Sequence, residues 1–103
     1  MSQLPHSKLT AIVQRCGSYL RDGFTTFTFS VLAQQASEGF VEGEEYIVSI
    51  PGAEALNRRT LSALSLVGRG DIIHIEFAGV LTDGEYLEVH QLHSVTDISQ
   101  DLP

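Results

Sequence analysis

The chain has no tryptophan, one methionine, three prolines and a single cysteine, Cys16, among 103 residues. One cysteine excludes an intrachain disulfide and a multi-cysteine zinc site, and it suits a reducing compartment. Basic residues are scarce: six Lys+Arg face thirteen Asp+Glu, a formal net charge of −7. That balance argues against a protein that holds nucleic acid mainly by neutralising phosphates. No apolar run approaches the roughly 18 residues of a membrane-spanning helix. Residues 1–8 lack the charged-then-apolar layout of a signal peptide. The expected location is cytoplasmic, or nuclear in a eukaryote, with no membrane partner.

What is present is the composition of a soluble globular domain, 43% hydrophobic and 18% charged. A chain of this length buries roughly two-thirds of its unfolded surface, enough for one modest core. Residues 1–7 read as a flexible leader, because Pro5 and small polar residues interrupt any period before Leu9. Residues 8–98 form the expected domain, and 99–103 a short acidic tail.

Leu9, Ala11 and Val13 alternate with Thr10, Ile12 and Gln14, the period of a strand, with Gly17 a candidate bulge. Asp22-Gly23 then supplies a tight hairpin turn. In the second strand Phe27, Phe29 and Val31 face one way, and Thr26, Thr28 and Ser30 the other. Residues 34–44 carry Glu38, Glu42 and Glu44 without periodicity and read as a mobile acidic loop. Tyr46, Val48 and Ile50 mark a third strand, ended by Pro51-Gly52.

The period then changes. Leu56, Thr60, Ala63, Leu64 and Val67 recur at spacings of three and four, predicting an amphipathic helix with Gly68 as a left-handed cap. Ile73, Ile75 and Phe77 mark a fourth strand. Leu87 and Val89 mark a fifth, reached through a turn at Asp83-Gly84, and broken parity near Leu92 predicts a bulge between His90 and His93. The expected core is Val13, Phe27, Phe29, Val48, Leu64, Ile73, Ile75, Phe77 and Val89. Five strands with one helix between the third and fourth is the layout of the OB-fold, an all-β Greek-key barrel.

The run Val67-Gly68-Arg69-Gly70-Asp71-Ile72-Ile73-His74-Ile75-Glu76-Phe77-Ala78-Gly79 resembles the "helix, Gly-Asp, apolar strand, Gly" passage of bacterial single-stranded DNA-binding proteins and of the primosomal protein PriB. Leu20-Arg21 and Phe27-Thr28-Phe29 look similar to the same group. The small subunit of replication protein A and the small subunit of the Stn1 telomere complex share this size and architecture. The resemblance implies a non-catalytic OB-fold module of a DNA replication or genome-maintenance assembly. It would bind single-stranded DNA weakly, or together with partner subunits. The alternative is a protein–protein adaptor without a nucleic-acid role, which the charge of −7 favours.

OB barrels bind single strands through outward aromatics and a basic groove. Parity places Phe24, Thr26 and Thr28 outward, with Arg21 beside Phe24 at the hairpin, and makes Tyr86 a second stacking candidate. These five are the expected nucleic-acid contacts; Phe24 and Tyr86 also read as packing residues. Lys8 and Arg15 border the first strand. Arg58-Arg59 reads as a solvated helix face or a contact to an acidic partner.

His90 and His93 lie three apart on a strand, pointing to opposite faces, and no further ligand stands at metal-site spacing. Gly68-Arg69-Gly70 leaves a helix instead of opening one, unlike a phosphate-binding loop. No nucleophile elbow or triad motif occurs. Neither an enzyme, a metal nor a cofactor is expected. The uncharged strip Thr26, Thr28 and Ser30, with Leu102 as an apolar anchor, suits a homo-oligomer or a partner-bound subunit.

Overall fold

A computed structural model describes residues 2–35 and 39–98. The expectations for Glu38 and for the acidic tail at 99–103, with Leu102, lie outside the described residues. The chain builds β1 (Ser2–Arg21), β2 (Phe24–Ala33), β3 (Glu45–Ile50), a 3-10 turn (Ala53–Ala55), α1 (Arg58–Leu66), β4 (Ile72–Thr82) and β5 (Tyr86–Asp97). The sheet runs β1, β2, β3, β5, β4 and closes into a barrel as β4 pairs with β1. All neighbours are antiparallel except β3 and β5. The five-stranded OB-fold barrel is therefore present, with its helix between β3 and β4 as the periodicities predict.

Local chemistry explains the corners. Both hairpin turns place Asp and then Gly at positive φ, 53° and 83° at Asp22-Gly23 and 57° and 74° at Asp83-Gly84. Two consecutive left-handed residues let the two-residue β1–β2 turn follow the strand twist, while the β4–β5 connection is one residue longer, with Glu85 donating its N–H to the Thr82 carbonyl at 3.3 Å. Asn57 caps α1, its side chain accepting the Thr60 N–H at 2.8 Å. At the other end the expected Gly68 cap is not used. Val67 is already extended, and the left-handed glycine is Gly70, at φ 91°. The Asp71 carboxylate instead accepts the Gly68 N–H at 2.8 Å, so this side chain closes the turn.

The core gathers Val13, Phe29, Val48, Leu64, Ile73, Ile75, Phe77 and Val89, joined by Leu4, Leu9, Phe40, Tyr46 and Leu87. Phe27 is half-buried at its edge. The expected bulge in β5 is real: Phe77 pairs with Leu92 and Glu76 with Ser94, leaving His93 extra, and the partners Gln91 and Val89 leave out His90. The bulge in the first strand falls at Gln14, between Val13 and Arg15, not at Gly17, which pairs with Thr28.

Two readings are corrected. The flexible leader is a strand: Ser2, Gln3 and Leu4 pair with Leu81, Val80 and Gly79, and Leu4 is buried. Pro5 lies where the register shifts between Leu4 and Ser7, the position at which a residue without an N–H costs no ladder bond. The acidic loop is pinned from Gly39 onward. Phe40 is buried edge-on against Tyr46 at 5.0 Å and Phe77 at 6.1 Å, and the Tyr46 hydroxyl accepts the Val41 N–H. A buried aromatic inside a polar run outweighs the run's composition.

Thr26 is also misplaced by simple alternation, being 2% exposed. The 3-10 turn covers this end of β2. Glu54 accepts the Thr25 N–H at 2.8 Å and the Thr25 hydroxyl at 2.7 Å. These bonds, the hydroxyl first, hold the Glu54 carboxyl below the ordinary carboxylate range. A depressed folded-state pKa stabilises above the unfolded value and is lost as pH falls through the folded one. Glu54→Gln is therefore expected to lower the melting temperature at neutral pH and to converge with wild type in acid. An equal difference at both pH values would assign the loss to shape instead of charge.

Candidate functional site

An open groove of about 1230 Å³ crosses the outer face of β1, β2 and β3. Its position follows from the Gln14 bulge. Beyond Val13, β1 no longer pairs with β4 and its residues 15–21 are all exposed, while β2 stays paired with β3 as far as Phe27. Past that pair the β1–β2 hairpin projects as an arm. Bulges sharpen strand twist and redirect side chains, and here the redirected segment brings Arg15 and Cys16 into the groove wall.

The opposite wall comes from the loop after α1. Gly70 donates its N–H to the Val13 carbonyl at 2.7 Å, and Val13 donates to the Asp71 carbonyl at 2.8 Å. These bonds tie residues 70–71 to β1 just before the bulge and set Arg69 on the groove beside Arg15. Thr28 and Ser30 supply hydroxyls from β2, Ile47 an exposed apolar side chain from β3, and Glu45 an acidic group. The strip read as an interface thus partly lines this groove, through Thr28 and Ser30.

Two of the five arginines, Arg15 and Arg69, lie on this groove. Among the described residues no arginine makes an ion pair, whereas Lys8 pairs with Glu76 at 3.7 Å. In a chain with thirteen acidic residues, unpaired guanidinium forks in a groove are free to bind planar anions. Glu45 opposes them locally, and its field falls off within about 10 Å at ordinary salt.

The five predicted contacts do not form one cluster. Thr28 lines the groove. Arg21 and Phe24 pair at the end of the arm, with Phe24 56% exposed, four residues and so about 13 Å beyond the Gly17–Thr28 pair. Tyr86 is half-buried and lies beside Ile47 in the parallel ladder, outside the lining. Thr26 is buried and lies outside the groove lining. Sequence reasoning noted Arg15 only as bordering its strand and missed Arg69. Its flanking glycines mark a turn and carry no signal of a contact with β1.

The histidines go separate ways. His90 lies 3.8 Å from Glu88, His93 stacks on His6 with centroids 5.2 Å apart, and His74 shares a 2.8 Å hydrogen bond with Thr10. Among the described residues no group of three or more His, Cys, Asp or Glu is arranged to hold a metal ion, and no helix is long and apolar enough to cross a membrane.

No family model matches the chain, and no curated protein matches it in sequence. Solved structures do share its fold. The mitochondrial single-stranded DNA-binding protein Rim1 of S. cerevisiae superposes with a TM-score of 0.63 at 11% identity, covering 96% of this chain and 98% of that one. A second crystal structure of Rim1 gives 0.63 at 10% identity, with 96% and 97% covered. The small single-stranded DNA-binding protein of Streptomyces coelicolor gives 0.58 at 8% identity, with 94% of each chain covered. At these identities the likeness establishes a common OB-fold over nearly the whole chain.

Proposed function

We propose that this protein is a non-catalytic OB-fold module that binds single-stranded DNA along the β1–β3 groove, weakly alone or together with partner subunits of a replication or genome-maintenance assembly. The observation that carries this reading is the pair Arg15 and Arg69, neither in an ion pair and both lining one groove of an acidic protein. The resemblance to single-stranded DNA-binding proteins, in sequence passages and in fold, supports it. Arg15 and Arg69 would neutralise phosphates, Thr28 and Ser30 would donate to phosphate or sugar oxygens, and Ile47 would pack on a base. Arg21 and Phe24 would extend the path along the arm, with Tyr86 flanking Ile47. Few cations imply modest affinity.

Titration of a fluorescent oligothymidylate at low and high salt tests this. Removing one phosphate-binding cation should make the salt slope shallower by about 0.7 for a single strand, so Arg15→Ala with Arg69→Ala should remove about 1.4. Phe24→Ala should weaken binding without changing the slope, since stacking releases no counterions. An absence of binding at low salt would favour the adaptor reading. Affinity purification of the native protein tests for the partner subunits.

A further inference from the structure

The groove does not end at β1. Cys16 and Gly17 also border an open cleft of about 160 Å³ between the hairpin arm and the last turn of α1, walled by Phe27, Leu64 and Val67 with Ser65 at its rim. Three features define what fits there. The first is size: a cavity of about 150 Å³ lined by apolar side chains accepts benzene, so this cleft suits a single six-membered ring and little more.

The second is chemistry. The lining mixes apolar side chains, including one half-buried aromatic face at Phe27, with polar groups, among them Ser18 and an oriented polar atom on Ser65. The Ser65 hydroxyl donates to the Leu61 carbonyl at 2.8 Å, which commits its proton and leaves the oxygen as an acceptor. An apolar ring with N–H donors on its edge satisfies both. The third is access. Gly17, which lines both groove and cleft, puts no side chain between them.

The main groove also lacks a stacking platform. Among the described residues, the aromatic in its lining is Phe29, 2% exposed. Bases of a strand held on Arg15 and Arg69 therefore have no exposed ring to lie on within the groove, and the adjoining cleft supplies one. We infer that the cleft between the hairpin arm and α1 takes one unstacked nucleobase of the bound single strand, against Phe27, while the neighbouring phosphates lie on Arg15 and Arg69. This rests on the single-strand reading of the groove.

Ser65 separates the two sites, because it borders the cleft and not the groove. In the full chain, Ser65→Leu fills the cleft from an exposed helix position with a better helix former. It should weaken oligothymidylate binding by about 5- to 150-fold, the range for loss of one stacked base, with an unchanged salt slope and an unlowered melting temperature. Ser65→Ala leaves the cleft open and removes only the acceptor, so it should weaken binding less than Ser65→Leu. Should the leucine variant fold poorly, Ser65→Met fills the same cleft with another good helix former and should give the same loss. An iodouracil-substituted oligothymidylate should photocrosslink to Phe27 in wild type and not in Ser65→Leu.

Wild-type affinity in Ser65→Leu, or crosslinking to Phe24 or Tyr86 in place of Phe27, overturns the cleft assignment. If the Arg15 and Arg69 variants still lose salt dependence, the groove reading survives that result. No oligothymidylate binding by the wild type overturns both.

Discussion

Phe77→Ala is expected to lose about 3–5 kcal/mol of folding stability, the range for truncating a buried aromatic ring. Phe77 is 0% exposed at the centre of β4, where its backbone pairs with Ser7 of β1 on one side and Leu92 of β5 on the other. Its ring also meets Phe40 edge-on at 6.1 Å. The cavity would thus open beneath the residue that pins the connection between β2 and β3. A small domain has about 5–15 kcal/mol in total, so the variant should approach unfolding at ordinary temperature.

Urea titration is the measurement, with the midpoint falling at unchanged slope. Phe77→Leu refills most of the volume and should cost far less. Phe29 would be a poorer probe of the core alone, because it borders both the groove and the cleft and its loss would disturb binding as well. A loss below about 1 kcal/mol in Phe77→Ala would mean the barrel collapses around the gap or that the ring is not central.

The strand order was legible in the sequence because its signals are local. Alternation over Phe27, Phe29 and Val31, the paired Asp-Gly turns, and the switch to spacings of three and four after Leu56 each depend on a few neighbouring residues. What was illegible depends on contacts between distant ones. Residues 2–4 look like a leader because nothing nearby shows that β4 awaits them. Phe40 looks like an interruption in an acidic loop because its partners, Tyr46 and Phe77, lie in two other elements. Thr26 is buried against the outward parity of its strand, at the end of β2 where a later turn meets it through Glu54 and the neighbouring Thr25.

The candidate site divides along the same line. Arg21, Phe24 and Thr28 could be found from one hairpin, since parity and turn position fix them. Arg15 and Arg69 could not be joined from sequence. Their meeting depends on two backbone hydrogen bonds between Val13 and residues 70–71, and backbone groups carry no sequence signature. Net charge and local charge differ in a related way. A total of −7 describes the whole surface, whereas the groove has two arginines and one glutamate in its described lining. Field at a site depends on the charges within about 10 Å of it, not on their sum over the molecule.

Gly79→Ala is expected to destabilise by about 1–3 kcal/mol, the cost of overpacking, and to lie toward the upper end because the obstacle is backbone. The sign is the informative part. A glycine inside a strand weakens it, and replacing one by alanine where the conformation allows stabilises by about 0.4–1 kcal/mol through the unfolded chain. Gly79 has no positive φ, so conformation alone would permit the change. Space does not. A Cβ would run into the Glu88 carbonyl oxygen, with Val89 Cα at 3.2 Å and the Glu88 carbonyl carbon at 3.3 Å. These atoms belong to β5 at the register shift between Ala78 and Gly79, where His90 is extra and the two strands approach closely. Relieving the clash means moving β5 or undoing the bulge, and either disturbs the Leu81–Leu87 pair that closes this end of the barrel. Gly17→Ala is the matched control. It also lies in a strand without positive φ, but its Cβ would meet only Thr28 Oγ1, at an ordinary 3.9 Å. Chemical denaturation of both variants should therefore give opposite signs, Gly17→Ala neutral or stabilised and Gly79→Ala destabilised. Equal stabilisation in both would show that β5 stands farther from Gly79 than this barrel requires.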